Sequence, residues 1–161
     1  MKKLMTSVLN LVQSALGFKR LATSLRPQIT SNGYEIYYDE ISGNVVGIVY
    51  RNLVFLKGVS ERRMNWHDAV DYCKTIVING ITAELCPVDS DDSWEKEFYS
   101  ISKSLYEALK EIGAENLDTY TWCSEYSKDK AWLQYVGDSD VYTCLKDGCN
   151  FNVRPVLVLR R

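Results

Sequence analysis

Histidine occurs once in the 161 residues, as His67, and that scarcity removes much of the usual catalytic and metal-binding vocabulary. Neither a Ser-His-Asp set nor a Cys-His couple with a third orienting group is recognisable, and Cys144-x4-Cys149 has no second pair to complete a zinc site. Acid is missing from residues 1–29, which hold Lys2, Lys3, Lys19, Arg20 and Arg26, so all 21 Asp and Glu fall in the remainder although the net charge is only -2. That remainder has no basic surplus to hold a phosphate backbone, and nucleic acid is not an expected partner. Long apolar runs are missing too: Thr6, Ser7, Asn10, Gln13 and Ser14 interrupt the N-terminal stretch, which is too short and too polar to span a bilayer. The acidic group Asp89, Asp91, Asp92 and Glu95 lacks the glycine and the terminal bidentate glutamate of an EF-hand loop, and reads as helix capping with a solvated acidic turn. The chain is therefore expected to be no enzyme and to need no cofactor or metal.

What is present divides into an arm and a body. At 46% hydrophobic and 25% charged, the chain can bury one sizeable core and is neither disordered nor fibrous. In the arm, residues 1–29, Leu4, Val8, Leu11, Val12 and Ala15 recur at the spacing of an amphipathic helix, with Gly17 placed to stop it. A secretory signal is the competing reading, since Lys2 and Lys3 precede the apolar residues, but the polar interruptions and the lack of a small-x-small site speak for an arm that stays on the chain. Such a stripe is expected to be buried against another protein subunit. Pro27 and the run Thr30-Ser31-Asn32-Gly33 mark the boundary with the body, residues 30–161.

In the body, Tyr34–Tyr38 and Val45–Tyr50 read as a β-hairpin and Leu53–Leu56 as a short third strand. Asn65 is a good N-cap with Asp68 three residues on, and Trp66, Ala69, Val70 and Cys73 form the apolar stripe of a helix expected to run to about Ile78 and to end at Asn79-Gly80. A second, longer helix opens within 87–92 and closes at Gly113, with Trp94, Phe98, Ile101, Leu105, Leu109 and Ile112 along one side. From Tyr120 onward short strands return, at 120–124, 131–136, 141–144 and 153–159. Strands, two helices, strands is an α+β order in which the two ends of the body can share a sheet that the helices cover.

An ordered set of short pieces then carries a family resemblance: Ile36-Tyr37-Tyr38-Asp39, Gly47-Ile48-Val49, Asn65-Trp66 with Ala69-Val70 and Tyr72-Cys73, Leu85-Cys86-Pro87, Trp122-Cys123-Ser124-Glu125, Ala131-Trp132, and Val153-Arg154-Pro155-Val156. Together they make the body resemble the C-terminal domain of the Lcl collagen-like adhesins, a bacterial and phage family. The resemblance implies a C-type-lectin-like fold, two helices packed on short and mostly antiparallel sheets, here with the N-terminal amphipathic arm added. The Trp-Arg-Leu-Pro run frequent in such domains appears here as Ala83-Glu84-Leu85-Cys86-Pro87, and the three prolines, Pro27, Pro87 and Pro155, stand outside the Glu-Pro-Asn or Gln-Pro-Asp setting of calcium-dependent lectins.

Within such a domain Trp66, Trp122 and Trp132 are first of all core or groove-wall aromatics, and Arg154 is expected to reach a carboxylate or carbonyls across the fold. As ligand-contacting residues the candidates are Tyr120, Trp122, Tyr126, Trp132, Tyr135 and Tyr142, in the half where lectin-like folds present loops. The five cysteines, Cys73, Cys86, Cys123, Cys144 and Cys149, are expected to be reduced thiols in the core, at least one of them necessarily unpaired. Formylglycine-generating enzymes share the broad architecture and bind copper through two cysteines separated like Cys144 and Cys149, which makes a copper oxidase the enzymatic alternative, although the flanks of the pair differ. The favoured expectation is a structural and recognition protein: a lectin-like domain displayed through its arm on a larger assembly, such as a phage head-fibre, decoration or tail-associated component, as a homo-oligomer or in company with other subunits. A secreted or cell-surface adhesin-type module binding a glycan or protein is the second expectation.

Overall fold

Leu53–Leu56 is a continuous apolar run, and such a run suits a strand covered on both faces. The computed structural model describes residues 27–88, 93–137 and 140–160, with the backbone alone for 93–96, and in it this run is β3 (Leu53–Leu56), buried throughout. The arm residues Leu4, Val8, Leu11, Val12 and Ala15, the acidic group 89–92 with the Glu95 side chain, and the Trp94 side chain lie outside the described residues.

β1 (Glu35–Tyr38) and β2 (Val45–Tyr50) form the expected hairpin, β2 pairs with β3, and β3 pairs with β9 (Val156–Val158), all antiparallel. The two ends of the body thus meet in one four-stranded sheet, ordered β1-β2-β3-β9. Gly47 permits the close approach of β2 and β3, since a Cβ there would stand 2.5 Å from the Phe55 carbonyl oxygen. Pairing with β1 begins before residue 30: the Ile36 N–H donates to Gln28 O at 2.8 Å, and Ile29 bridges Glu35.

α1 (Trp66–Lys74) starts as its capping residues dictate, with Asn65 Oδ1 accepting from the Asp68 N–H at 2.9 Å. It stops four residues earlier than the sequence pattern suggests. Thr75-Ile76-Val77 is a β-branched run that loses side-chain freedom in a helix, and Asn79-Gly80 is a hairpin turn, not a helix C-cap. Asn79 and Gly80 have φ of 51° and 76°, the two left-handed positions of a type I′ turn, and they join β4 (Val77–Ile78) to β5 (Ile81–Thr82). Ile76, Ile78 and Ile81 then cover the outer face of the first sheet at Val54, Leu56 and Leu157.

α2 (Ser93–Glu111) turns Phe98, Leu105, Ala108 and Leu109 inward against Ile48, Leu53, Phe55 and Val156 on one side and Cys123, Trp132 and Val136 on the other. Cys123 and Trp132 belong to a second, three-stranded antiparallel sheet of β6 (Tyr120–Glu125), β7 (Lys130–Tyr135) and β8 (Asp140–Leu145), in that order, and Val136 follows β7 directly. Its opposite face, at Trp122, Ala131 and Leu133, packs on Ala69 and Cys73 of α1 and on Met64 and Val153. Segment 83–88 stitches the sheets together: Glu84 exchanges two backbone hydrogen bonds with Val156 at 2.9 Å each, and Cys86 O accepts from the Ser124 N–H at 3.0 Å. Among the described residues no helix is long and apolar enough to cross a membrane.

Arg154 ties the parts together. Its side chain is 1% exposed, and it meets carbonyls, not a carboxylate. Nη1 donates to Leu56 O at 2.9 Å and Lys57 O at 2.8 Å, and Nη2 donates to Glu115 O and Asn116 O. Burial pushes the guanidinium down to about 10, which leaves it charged at neutral pH. Replacing it by methionine strands four buried acceptors, and Arg154→Met should lose at least about 3 kcal/mol of stability. Phe98, fully buried between the two sheets, should lose about 3 to 5 kcal/mol as Phe98→Ala. Urea unfolding measures both, and a midpoint unchanged from the wild type would contradict the corresponding core assignment.

Candidate functional site

The six candidate ligand-contacting residues do not form one site. Residues two apart on a strand share a face, and Tyr120, Trp122, Tyr135 and Tyr142 fall on the α1 side of the second sheet whereas Tyr126 and Trp132 form a separate pair. Trp122 is fully buried, its Nε1–H donating to Met64 O at 2.8 Å, so it is a core anchor and not a ligand contact. Trp132, 7% exposed, belongs to the core beneath α2 and supports the exposed Tyr126 at a centroid separation of 4.8 Å, ring edge to face. The indole thereby fills interior volume, and Tyr126 is the member of the pair that meets solvent.

The remaining three tyrosines do come together. Tyr120 lies 5.0 Å from Tyr135, 5.9 Å from Tyr142 and 6.1 Å from Phe151 between ring centroids, and Phe151 stands edge-on to the buried Trp122 at 5.2 Å. Such spacings suit tilted and edge-to-face contacts, which hold the rings rigid. Tyr142 is 54% exposed and crowns the group, while the Tyr120 hydroxyl faces Asp140 Oδ2 at 3.5 Å. Rigid aromatic area with polar tips beside a carboxylate can take the apolar face of a sugar ring or a protein side chain, while the hydroxyls offer hydrogen bonds. Phe151 was not among the sequence candidates. It sits in a short bridge to Met64 outside any strand, and no local pattern marks it.

A second feature lies around the corner of the sheet. Trp66 and Val70 of α1, segment 82–85, Ser124 and Glu125 line an open groove of about 480 Å³, with Lys74 and Arg160 at its rim. Trp66 is fixed by its Nε1–H, which donates to Cys123 O at 2.9 Å. The Lys146 ammonium, almost wholly buried, lies 4.5 Å from the Trp66 ring, donates to Lys128 O at 2.9 Å and pairs with Glu125. The groove therefore carries both charge signs on rigid walls. His67 sits exposed at the start of α1, 3.3 Å from Asp147.

Cys144 and Cys149 form a disulfide across a Cα separation of 6.6 Å, which corrects the expectation of reduced core thiols for these two. In that state neither sulfur is a thiolate available to a metal. Cys73, Cys86 and Cys123 are reduced and buried as expected. Burial, with Glu84 adding to it, pushes the Cys73 thiol up to about 12, and burial followed by the neighbouring Cys86 raises that of Cys123. Thiols held protonated are poor nucleophiles. No family model matches the chain, and no curated protein matches it.

These raised values fix a sign for the response to alkali. The folded state keeps protons that the unfolded thiols lose near their ordinary 9, so this contribution is fully present below that pH and is lost as pH rises toward 12. Tyr50, raised to about 12 by burial and by Glu97, acts in the same direction. The urea midpoint should fall between about pH 8 and about pH 11, and a thiol-specific reagent should label these three cysteines only on unfolding. Rapid labelling of the native chain at neutral pH would contradict their placement.

Proposed function

We propose that the protein is a non-catalytic recognition domain of C-type-lectin-like type, carried on a larger assembly by residues 1–29 and presenting the Tyr120–Tyr135–Tyr142 cluster to a surface glycan or protein. The observation that carries this reading is that cluster: three tyrosines and Phe151 gathered at one end of the second sheet, with Tyr142 largely open and a carboxylate beside the Tyr120 hydroxyl. Its fold supports the lectin-like reading at the level of an α+β body whose first and last strands share one sheet. The three buried free thiols, with those of Cys73 and Cys123 pushed up by burial, offer no activated nucleophile, which weighs against the copper-oxidase alternative together with the closed Cys144–Cys149 pair. Display by the arm is supported by its apolar stripe and by its five basic residues without an acid. A short helix is marginal alone in water, so such a stripe gains order by burial against a partner. A phage virion component fits that organisation.

The disulfide favours a second reading, a secreted or cell-surface module of adhesin type, because such bonds persist in oxidising compartments. The two readings share the recognition face and differ in the arm. With the full chain, Tyr142→Ala should weaken binding to an array of immobilised glycans and cell-envelope proteins about tenfold or more, with little change in unfolding. Leu4→Asp combined with Leu11→Asp should reduce the native mass to that of a smaller species while leaving the unfolding transition of the body in place. If Tyr142→Ala binds as the wild type does, the tyrosine cluster is not the recognition face. Recovery from cells of a mature chain lacking residues 1–29 would select the secreted reading.

A further inference from the structure

Natural sheets guard their free edges, because a row of unpaired N–H and C=O groups recruits another strand. Among the described residues the edges of the two larger sheets are guarded, with one exception. β1 is covered by Gln28 and Ile29, carries a bulge between Tyr37 and Tyr38, and has its Tyr38 carbonyl taken by the Asn79 side-chain amide at 2.8 Å. β9 is closed by Glu84. β6 is closed by Cys86 and by Asn152, whose carbonyl accepts from the Trp122 N–H at 3.1 Å.

Among the described residues β8 has no such cover. It pairs with β7 in six consecutive register positions without a bulge, and contains neither proline nor lysine. No residue of β8 is fully buried, and Tyr142 and Leu145 are 54% and 52% exposed. The Lys146 N–H donates inward to Asp129 O at 3.0 Å. Because antiparallel ladders alternate, Cys144, Tyr142 and Asp140 also point their backbone groups toward β7, and those of Val141, Thr143 and Leu145 point outward. Among the described residues these outward groups meet no hydrogen-bond partner. Lys146, the charge that could have guarded the end of the edge, has its ammonium turned inward onto Trp66 and Glu125.

We propose that β8 is a pairing edge for a second copy of this chain, joining two three-stranded sheets into one of six strands. The occupant follows from register. Only residues with outward backbone groups can exchange hydrogen bonds, so an antiparallel two-fold through Thr143 sets Thr143 against its own copy and Val141 against Leu145 of the partner subunit. Thr–Thr and apolar pairs are favourable cross-strand neighbours. No like charges face each other, since the register sets Asp140 opposite position 146, where the lysine ammonium is turned inward onto Trp66 and Glu125. Such an axis is perpendicular to the sheet, so the two tyrosine clusters come to lie on the same side, and a partner surface meets both at once. A single strand pair buries little area, which places the contact in the weak class unless another contact raises the local concentration. The proposal stands on the β8 edge alone and does not require the arm.

The test is residue-resolved amide hydrogen exchange on the full chain over a range of concentrations, alongside sedimentation. The amides of Val141, Thr143 and Leu145 should exchange at least about tenfold more slowly at high concentration than at low, with a parallel shift from monomer to dimer. Leu145→Lys, on an exposed side chain, should return the three amides to free-edge exchange without altering unfolding. Pro in place of Thr143, as Thr143→Pro, removes one outward donor and no donor to β7, and should act likewise. Fast exchange of the three amides at every concentration overturns the proposal. So does self-association that leaves them unprotected, which would assign the contact to another face, and so does protection that appears only on adding an extended peptide from a different protein.

Discussion

A guanidinium removed from water is costly unless each of its donors is engaged, and Arg154 engages four backbone carbonyls and, among the described residues, no carboxylate. The acceptors come from two places that the chain has no other strong reason to bring together: the end of β3 at Leu56 and Lys57, and the turn after α2 at Glu115 and Asn116. Asn116 sits at a positive φ of 49°, in a turn that hands the chain from α2 to β6. Arg154 itself lies just before β9, the strand that closes the first sheet. One buried cation thus fixes the first sheet, the exit of the long helix and the entrance to the second sheet relative to one another. Backbone acceptors set that geometry more rigidly than a flexible carboxylate would, because carbonyls cannot change rotamer.

Given that joint, both sheets end up covered on both faces. α2 fills the space between them, the β4–β5 hairpin closes the outside of the first, and α1 closes one side of the second. The tyrosine cluster of the second sheet lies where that cover runs out. The ends of β6, β7 and β8 extend beyond α1, and there Tyr120, Tyr135 and Tyr142 rest on Phe151 and through it on Trp122. The rings at that point are held stiffly because their floor is core. The groove beside Trp66 has the same origin, since the indole is pinned to Cys123 O from below and by the Lys146 cation from beside it.

Segment 83–88 and the Cys144–Cys149 loop are the parts where local pattern and tertiary setting interact most. The first has little secondary structure of its own, yet it supplies the hydrogen bonds that close the open sides of β9 and β6. The second turns Lys146 inward and thereby leaves β8 without the lysine that would otherwise guard its end. The first shows backbone hydrogen-bonding needs being met by a segment whose composition predicts only a loop.

By itself the sequence determined the elements whose signals are local. Asn65 with Asp68 set the start of α1, two runs of β-prone residues either side of the turn residues 39–44 set the hairpin of β1 and β2, the apolar run 53–56 set β3, and the stripe through Phe98, Leu105 and Leu109 set the inner face of α2. The Asn79-Gly80 pair was also legible, but it serves both helix ends and hairpin turns, and the β-branched run before it was the discriminating signal. The tertiary structure alone decided which aromatics face outward. With both faces of β6 and β7 covered, period-two patterning no longer separates inside from outside, so Trp122 and Tyr120, on the same face and two residues apart, differ only in how far α1, Met64 and Phe151 extend over them. It also decided that Cys144 meets Cys149 and that the outer side of β8 meets no strand among the described residues, because disulfide partners and sheet edges depend on where distant segments stop, which no local pattern contains.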